Sequence, residues 1–309
     1  MKVLALSATG CMGSGLVKAL KDDTNHQLYT FTRNLDSDSA KPLKEASTKV
    51  FEGDFGNKGS LEEAFSEGFD AVFFTIFPDL TGGSGDLDQA ENIVDAAKRH
   101  GVKQLLYGSV ARTGTQENFD KVLSTLEDSN FLKGYWVKKW AIEDMVRKSG
   151  LAYTIVKPPN FIQNLAWPNY VAMMYPDLPK DYIYKNAVDP DVAQWWVDGS
   201  DVGKFAAAAV RDPERFRNKE ITIGTELLTD RQIVEKLRMA TGKDVKLYDW
   251  PADEWEASKT HFIHGPRHKS SEMGHDPDGG NGAKEYGVQP TLISEWLEDP
   301  KNKEGTWLA

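Results

Sequence analysis

The chain has 309 residues, 40% of them apolar, and carries a formal net charge of -10. That length accommodates one large α/β domain with a smaller appended lobe, while the acidic balance repels nucleic acid and anionic membrane surfaces at long range. Cys11 is the single cysteine, which excludes an intramolecular disulfide framework and a cysteine-based zinc site. No apolar run approaches a bilayer span, and the apolar stretch before Cys11, residues 3–6, is too short for a lipoprotein leader. A cytoplasmic protein with no nucleic-acid or membrane partner is expected.

In chain order, short aliphatic runs predict strands over residues 2–6, 28–32, 49–52, 71–75, 104–107 and 153–156. Between them, apolar residues at three- and four-residue spacing predict helices over 13–20, 60–65, 86–99 and 137–148. Alternating strands and helices imply an α/β fold, a Rossmann-type doubly wound parallel sheet with its ligand at the carboxyl ends of the strands. After Pro158-Pro159 the alternation gives way to prolines and aromatics, so residues 1–157 are expected to form the dinucleotide-binding domain. The alanine-rich helix near 201–210 and a short edge strand near 221–223 are expected to return to it, within 200–224. Residues 158–199 and 225–309 are expected to make the smaller substrate lobe. There Thr229 or Asp230 opens a helix, 265–282 reads as a loop rich in Gly, His, Asp and Pro, and 291–297 reads as a short closing helix.

Three features point to a dinucleotide. Gly10, Gly13 and Gly15 stand where the opening strand passes into a helix, and glycine there lets backbone N–H groups approach a pyrophosphate at the positive helix end. Thr9, Gly10, Cys11, Met12 and Gly13 are the expected phosphate contacts. At the end of the second strand Arg33 suits the 2′-phosphate of NADP(H), with Asp36 and Asp38 near enough to leave NAD use open. After the third strand, Asp54 is placed to accept a hydrogen bond from an adenine amino group, or simply to begin a turn.

Ala8-Thr9-Gly10-x-x-Gly13, Thr32-Arg33-Asn34, Gly53-Asp54, Lys139 four residues before Glu143, 150–158 (GLAYTIVKP) and Phe161-x-x-Asn164 together resemble the NmrA-like family of atypical short-chain dehydrogenases/reductases. The likeness continues through Asp201-Val202-Gly203 to 286–291 (YGVQPT). Two positions depart from the pattern: Ser7 replaces the usual first glycine, and Lys138 stands where a small residue often precedes the family lysine. The resemblance implies an NADP(H) site that also draws on Thr75, Lys139, Pro158, Asn160 and Phe161, and a substrate pocket near Phe77, Phe161, Asn164 and Trp167.

The family holds both reductases and non-catalytic NADP(H)-binding regulators. Tyr135 and Lys139, at i and i+4, share a helical face and match the Y-x-x-x-K of catalytic short-chain dehydrogenases. In the implied reaction Tyr135 protonates a substrate carbonyl, Lys139 lowers the phenol pKa while holding the nicotinamide ribose, and Ser109 hydrogen-bonds the carbonyl oxygen. The expectation is an NADPH-dependent oxidoreductase acting on an aromatic or apolar small molecule, as a monomer or homodimer. The alternative is a redox sensor that binds a protein partner. Phe161, Trp167, Met173, Met174, Tyr175, Trp195, Trp196, Trp250 and Trp255 give the second half its aromatic character, in part as an apolar pocket. Four of the six histidines fall in 261–275, where one lining that pocket is expected and a metal site is not.

Overall fold

A computed structural model describes residues 1–79, 83–124, 126, 131–261, 264–274, 276 and 279–309. Its strands are β1 (Lys2–Ala5), β2 (Gln27–Thr32), β3 (Lys49–Glu52), β4 (Ala71–Phe74), β5 (Gln104–Gly108), β6 (Ala152–Lys157), β7 (Asn160–Phe161), β8 (Ile183–Tyr184), β9 (Gln194–Val197), β10 (Lys219–Thr222), β11 (Glu226–Leu228) and β12 (Lys246–Leu247). The first nine α-helices are α1 (Cys11–Leu20), α2 (Lys41–Ala46), α3 (Lys58–Phe65), α4 (Gly85–Arg99), α5 (Gln116–Ser124), α6 (Phe131–Lys148), α7 (Pro168–Met174), α8 (Leu178–Asp181) and α9 (Asp201–Arg211). They are followed by α10 (Asp230–Thr241), α11 (Ala252–Ser258), α12 (His264–Glu272), α13 (Asn281–Tyr286), α14 (Ile293–Glu298) and α15 (Pro300–Lys303). No helix among the described residues is long and apolar enough to cross a membrane.

By its internal contacts the chain divides into two compact units, one of Met1–Thr113, Tyr135–Lys157 and Gly199–Ile221, the other of Gly114–Gly134, Pro158–Asp198 and Thr222–Ala309. The first holds a sheet ordered β10-β6-β5-β4-β1-β2-β3, in which neighbours from β3 to β6 pair in parallel. This is the Rossmann order, with its topological switch between β1 and β4. The strands expected from sequence all form, and β10 takes the edge beside β6.

One face of that sheet is covered by α3, α4 and α6, whose Leu61, Phe65, Ile93, Ala97, Ile142 and Val146 join Leu4, Phe31, Val72, Phe74 and Tyr107 in a continuous core. Helix α9 packs closely on α1. A Cβ at Gly203 would lie 2.0 Å from the Leu16 nitrogen, so glycine is what lets the two backbones meet.

The second unit builds a small sheet, β11-β9-β7, with β9 and β11 antiparallel and β7 and β9 parallel. Ile162, Leu165, Leu178, Tyr184, Trp196, Leu237, Trp296 and Leu297 form its core. Thr229 caps α10 with a reciprocal Gln232 bond, as its sequence leads one to expect. The expected loop over 265–282 is corrected: α12 and α13 occupy much of it. Gly265 and Pro266 read as breakers, yet the proline falls in the first turn of α12, where an N–H would lack an intrahelical acceptor in any case.

Gly203→Ala is expected to destabilise the protein by about 2 kcal/mol or more, read as a lowered midpoint in urea unfolding. An unchanged midpoint would show that α1 and α9 can separate without cost.

Candidate active site at the carboxyl edge of the sheet

The turn between β1 and α1 is held from within. Leu6 N donates to Phe73 O at 2.9 Å, and one residue on the Ser7 hydroxyl continues the ladder by donating to Thr75 O at 2.8 Å and accepting from Thr75 N at 3.1 Å. Thr75 Oγ1 in turn donates to Gly108 O at 2.9 Å. Ser7 thus substitutes for a glycine by joining two strand ends. A Cβ at Gly13 would lie 1.9 Å from Ser7 O, so that glycine serves the turn itself.

Gly10 differs. Its φ of -79° and ψ of 164° are open to any residue, and a Cβ there would meet only Ser7 O at an ordinary 3.4 Å. Neither backbone conformation nor internal packing requires glycine at this position. No side chain caps α1, so the positive end of the helix faces the space that Gly10 keeps clear. This cradle suits a pyrophosphate.

Arg33 is exposed just beyond β2 and makes no ion pair among the described residues, whereas Asp38 is held by Lys41 at 2.7 Å. Asp54 is exposed after β3, and its Oδ1 accepts from Gly56 N at 2.8 Å, so the residue does begin a turn. Phe77, beyond β4, is 64% exposed, an unusual setting for a phenylalanine.

Helix α6 begins at Phe131, upstream of the expected start, so Tyr135 and Lys139 both lie within it. Tyr135, Lys139, Glu143 and Arg147 recur every fourth residue and form one row. The Lys139 ammonium stands 5.7 Å from the Tyr135 ring centre and 5.9 Å from that of Tyr107, and donates to Ile76 O at 2.6 Å. Lys139 is 4% exposed. Burial lowers its pKa to about 8, against the opposing pull of Asp86 and Glu143. Burial also pushes the Tyr135 phenol well above its ordinary value, the reverse of the expected depression.

One turn on, the fully buried Glu143 gathers partners from several segments. Its Oε1 accepts from Ser109 Oγ at 2.5 Å and Thr113 Oγ1 at 2.7 Å, while Oε2 faces Arg147 at 2.7 Å and Lys157 at 3.1 Å. Both cations also reach Glu220, Arg147 at 2.7 Å and Lys157 at 2.6 Å. Two carboxylates and two cations therefore balance within the cluster. Ser109 stands at the carboxyl end of β5 as expected, but it is 2% exposed and gives its one hydroxyl proton to Glu143. The role expected of this hydroxyl from the sequence is a bond to a substrate carbonyl oxygen.

Sequence reading missed the roles of Thr113, Lys157, Glu220 and Asp86, a carboxylate in the first turn of α4 whose side chain is 3% exposed. An Asp at a helix start reads as a solvated cap, and nothing local signals its burial.

Pro158, Asn160, Phe161, Asn164 and Trp167 belong to the second unit. Within it Asn160 Nδ2 donates to Trp195 O at 3.0 Å, Asn160 and Phe161 pair with Trp196 and Val197, and Trp167 packs on the core. His268 is buried, bonded to Ser258 at 2.7 Å and edge-on to Trp255, while His264 meets Trp250 edge-on. Burial lowers the His264 pKa to about 4, so both rings act as packing groups at neutral pH. His275 lies outside the described residues. Among those described, no cluster of His, Cys, Asp and Glu is arranged to hold a metal.

A family model described as the NmrA-like family matches residues 1–275. A relative named as an NmrA-like family domain-containing oxidoreductase, malD from Malbranchea aurantiaca, is 24% identical over 265 residues, covering 80% of this chain and 76% of the relative. An NADPH-dependent quinone oxidoreductase from Escherichia coli, solved with NADPH, aligns at TM-score 0.71 and 22% identity over 96% of this chain and 98% of that one. NmrA, a negative transcriptional regulator solved with NAD, aligns at TM-score 0.71 and 19% identity over 97% and 95%. The fold is that of NAD(P)-binding Rossmann-type proteins.

Glu143→Gln leaves Lys157 and Arg147 short of a counterion and is expected to cost about 3–5 kcal/mol of stability. Ser109→Ala, which removes one hydrogen bond to the carboxylate, should cost about 1–3 kcal/mol. Chemical denaturation of the two variants checks the ranking, and an equal effect would show that the cluster is not organised around Glu143.

Proposed function

The chain belongs to the NmrA-like family, and from that premise we propose that it is an NADPH-dependent oxidoreductase reducing a carbonyl or conjugated small molecule such as a quinone. The observation that carries this reading is the pairing of Tyr135 and Lys139 on one face of α6. Regulators of the family resemble this motif only at the lysine. The cradle at Gly10 fits the cofactor, held by backbone groups from Thr9 to Gly13, with Arg33 at the 2′-phosphate, Asp54 toward the adenine and Thr75 and Lys139 toward the nicotinamide end.

A bound nicotinamide supplies hydride. The protein supplies the proton and its management. With its pKa raised by burial, Tyr135 carries its proton at neutral pH, the state a donor requires. Releasing it leaves a phenolate, which the neighbouring Lys139 ammonium stabilises. Ser109 supports this through Glu143, which fixes the helix bearing both groups. Phe77 offers an exposed ring to an apolar or aromatic substrate.

A second reading is a cofactor sensor that binds a protein partner. The fold shared with the NmrA regulator favours it.

Oxidation of NADPH with a panel of quinones, enones, ketones and imines decides between the two. Under the enzyme reading, Tyr135→Phe lowers kcat by about 100-fold or more while NADPH affinity changes by less than about threefold. Turnover by Tyr135→Phe at the wild-type rate, or NADPH binding with no oxidation across the panel, sinks the enzyme reading. Because Lys139 loses its charge near pH 8, kcat/KM should fall as pH rises through that value. Arg33→Ala should weaken NADPH by about tenfold and NADH hardly at all, and equal losses would refute the 2′-phosphate role.

A further inference from the structure

Resting on the cofactor role just given to Lys139, we propose that Asp86 is a positioning residue of the site, the buried carboxylate by which the adjacent Lys138 and Lys139 hold the chain beyond β4 against α6. Neighbouring residues on a helix point about 100° apart and rarely serve one purpose. Here both side chains end on backbone carbonyls that follow β4. Lys139 donates to Ile76 O at 2.6 Å. Lys138 donates to Gly83 O and faces Asp86 Oδ1 at 3.4 Å. Asp86 also meets the chain just past Ile76, since its Oδ2 accepts from Asp79 N at 3.3 Å. A carboxylate in the first turn of a helix normally lies in water, where the helix dipole favours it modestly. Burying this one is offset by Lys138, the residue that departs from the family pattern.

The charges around Lys139 decide which carboxylate matters to it. Asp86 on α4 and Glu143 on α6 are the carboxylates whose charge favours the Lys139 ammonium, with the Tyr107 and Tyr135 rings alongside and Lys138 next in the chain. Glu143 is already shared by Arg147 and Lys157, so most of its field is spent there. Asp86 has Lys138 alone as its cation among the described residues, at a longer distance. Asp86 is therefore the less compensated charge and the effective counterion of Lys139. Removing it withdraws the opposition to burial and favours a neutral amine.

The test compares wild type, Asp86→Asn and Lys138→Met. Asparagine removes the charge and keeps one acceptor oxygen, which can still serve Asp79 N. The titration of Lys139 is read by NMR of carbon-13-labelled lysine, assigned with Lys139→Arg, and NADPH affinity is measured from pH 6 to 9.5. Asp86→Asn is expected to move the titration to lower pH and to weaken NADPH about three- to tenfold at pH 8, with little change at pH 6. Lys138→Met removes a like charge and leaves Asp86 to Lys139, so the titration should move to higher pH. A purely structural role would weaken binding by both variants at every pH and leave the titration in place. That outcome, or an Asp86→Asn titration that overlays the wild type, overturns the proposal. Failure of the wild type to bind NADPH would instead refute the cofactor reading, while the Lys139 titration still judges Asp86.

Discussion

The carboxylate of Glu143 sits where the ends of β5 and β6, the edge strand β10 and helix α6 converge, and it has no access to solvent. A buried charge in that position must be met on every side, and the chain meets it with two hydroxyls and two cations. Once those partners are committed, α6 has one register available relative to the sheet. The neutral total of the cluster matters as much as its geometry. Glu220 takes up the remaining charge of Arg147 and Lys157, while Glu143 still favours the charged form of Lys139 one turn away.

Outside that closed cluster lie the two groups that the proposed reaction would use. Lys139 and Tyr135 extend the same helical row one and two turns further, where burial moves both titrations in the direction of the neutral form. A phenol that holds its proton and a lysine whose charge is marginal make a pair whose state is set by what lies nearby. The site is thus built from a fixed half and a responsive half on one helix.

The parallel sheet could be read from the sequence because its signals are local: aliphatic runs of strand length, glycines at the first turn, and helices with apolar residues at three- and four-residue spacing. Lys139 was legible for the same reason, since a spacing of four defines a face without further information. The direction of the Ser109 hydroxyl was not, because Glu143 and its other partners come from positions 113, 147 and 157, brought together only by folding. Asp86 was hidden by its own good local explanation as a helix-start acid. The helix at His264–Glu272 was hidden by a proline whose effect depends on which turn it occupies. In each case the missing knowledge was burial or placement.

Ser7 and Thr75 carry the strand ladder one rung past the point where the backbones part, first between β1 and β4 and then, through Thr75 and Gly108, between β4 and β5. These are neutral hydroxyl bonds, each contributing about 1 kcal/mol, whereas the links from β5 onward to β6 and β10 run through charges that contribute roughly twice as much. The mouth of the sheet is therefore mechanically graded, compliant at its topological switch point and stiff on the side that carries α6. The turn after β1 is thus tied to its neighbours by neutral hydroxyls, and the row on α6 by charges.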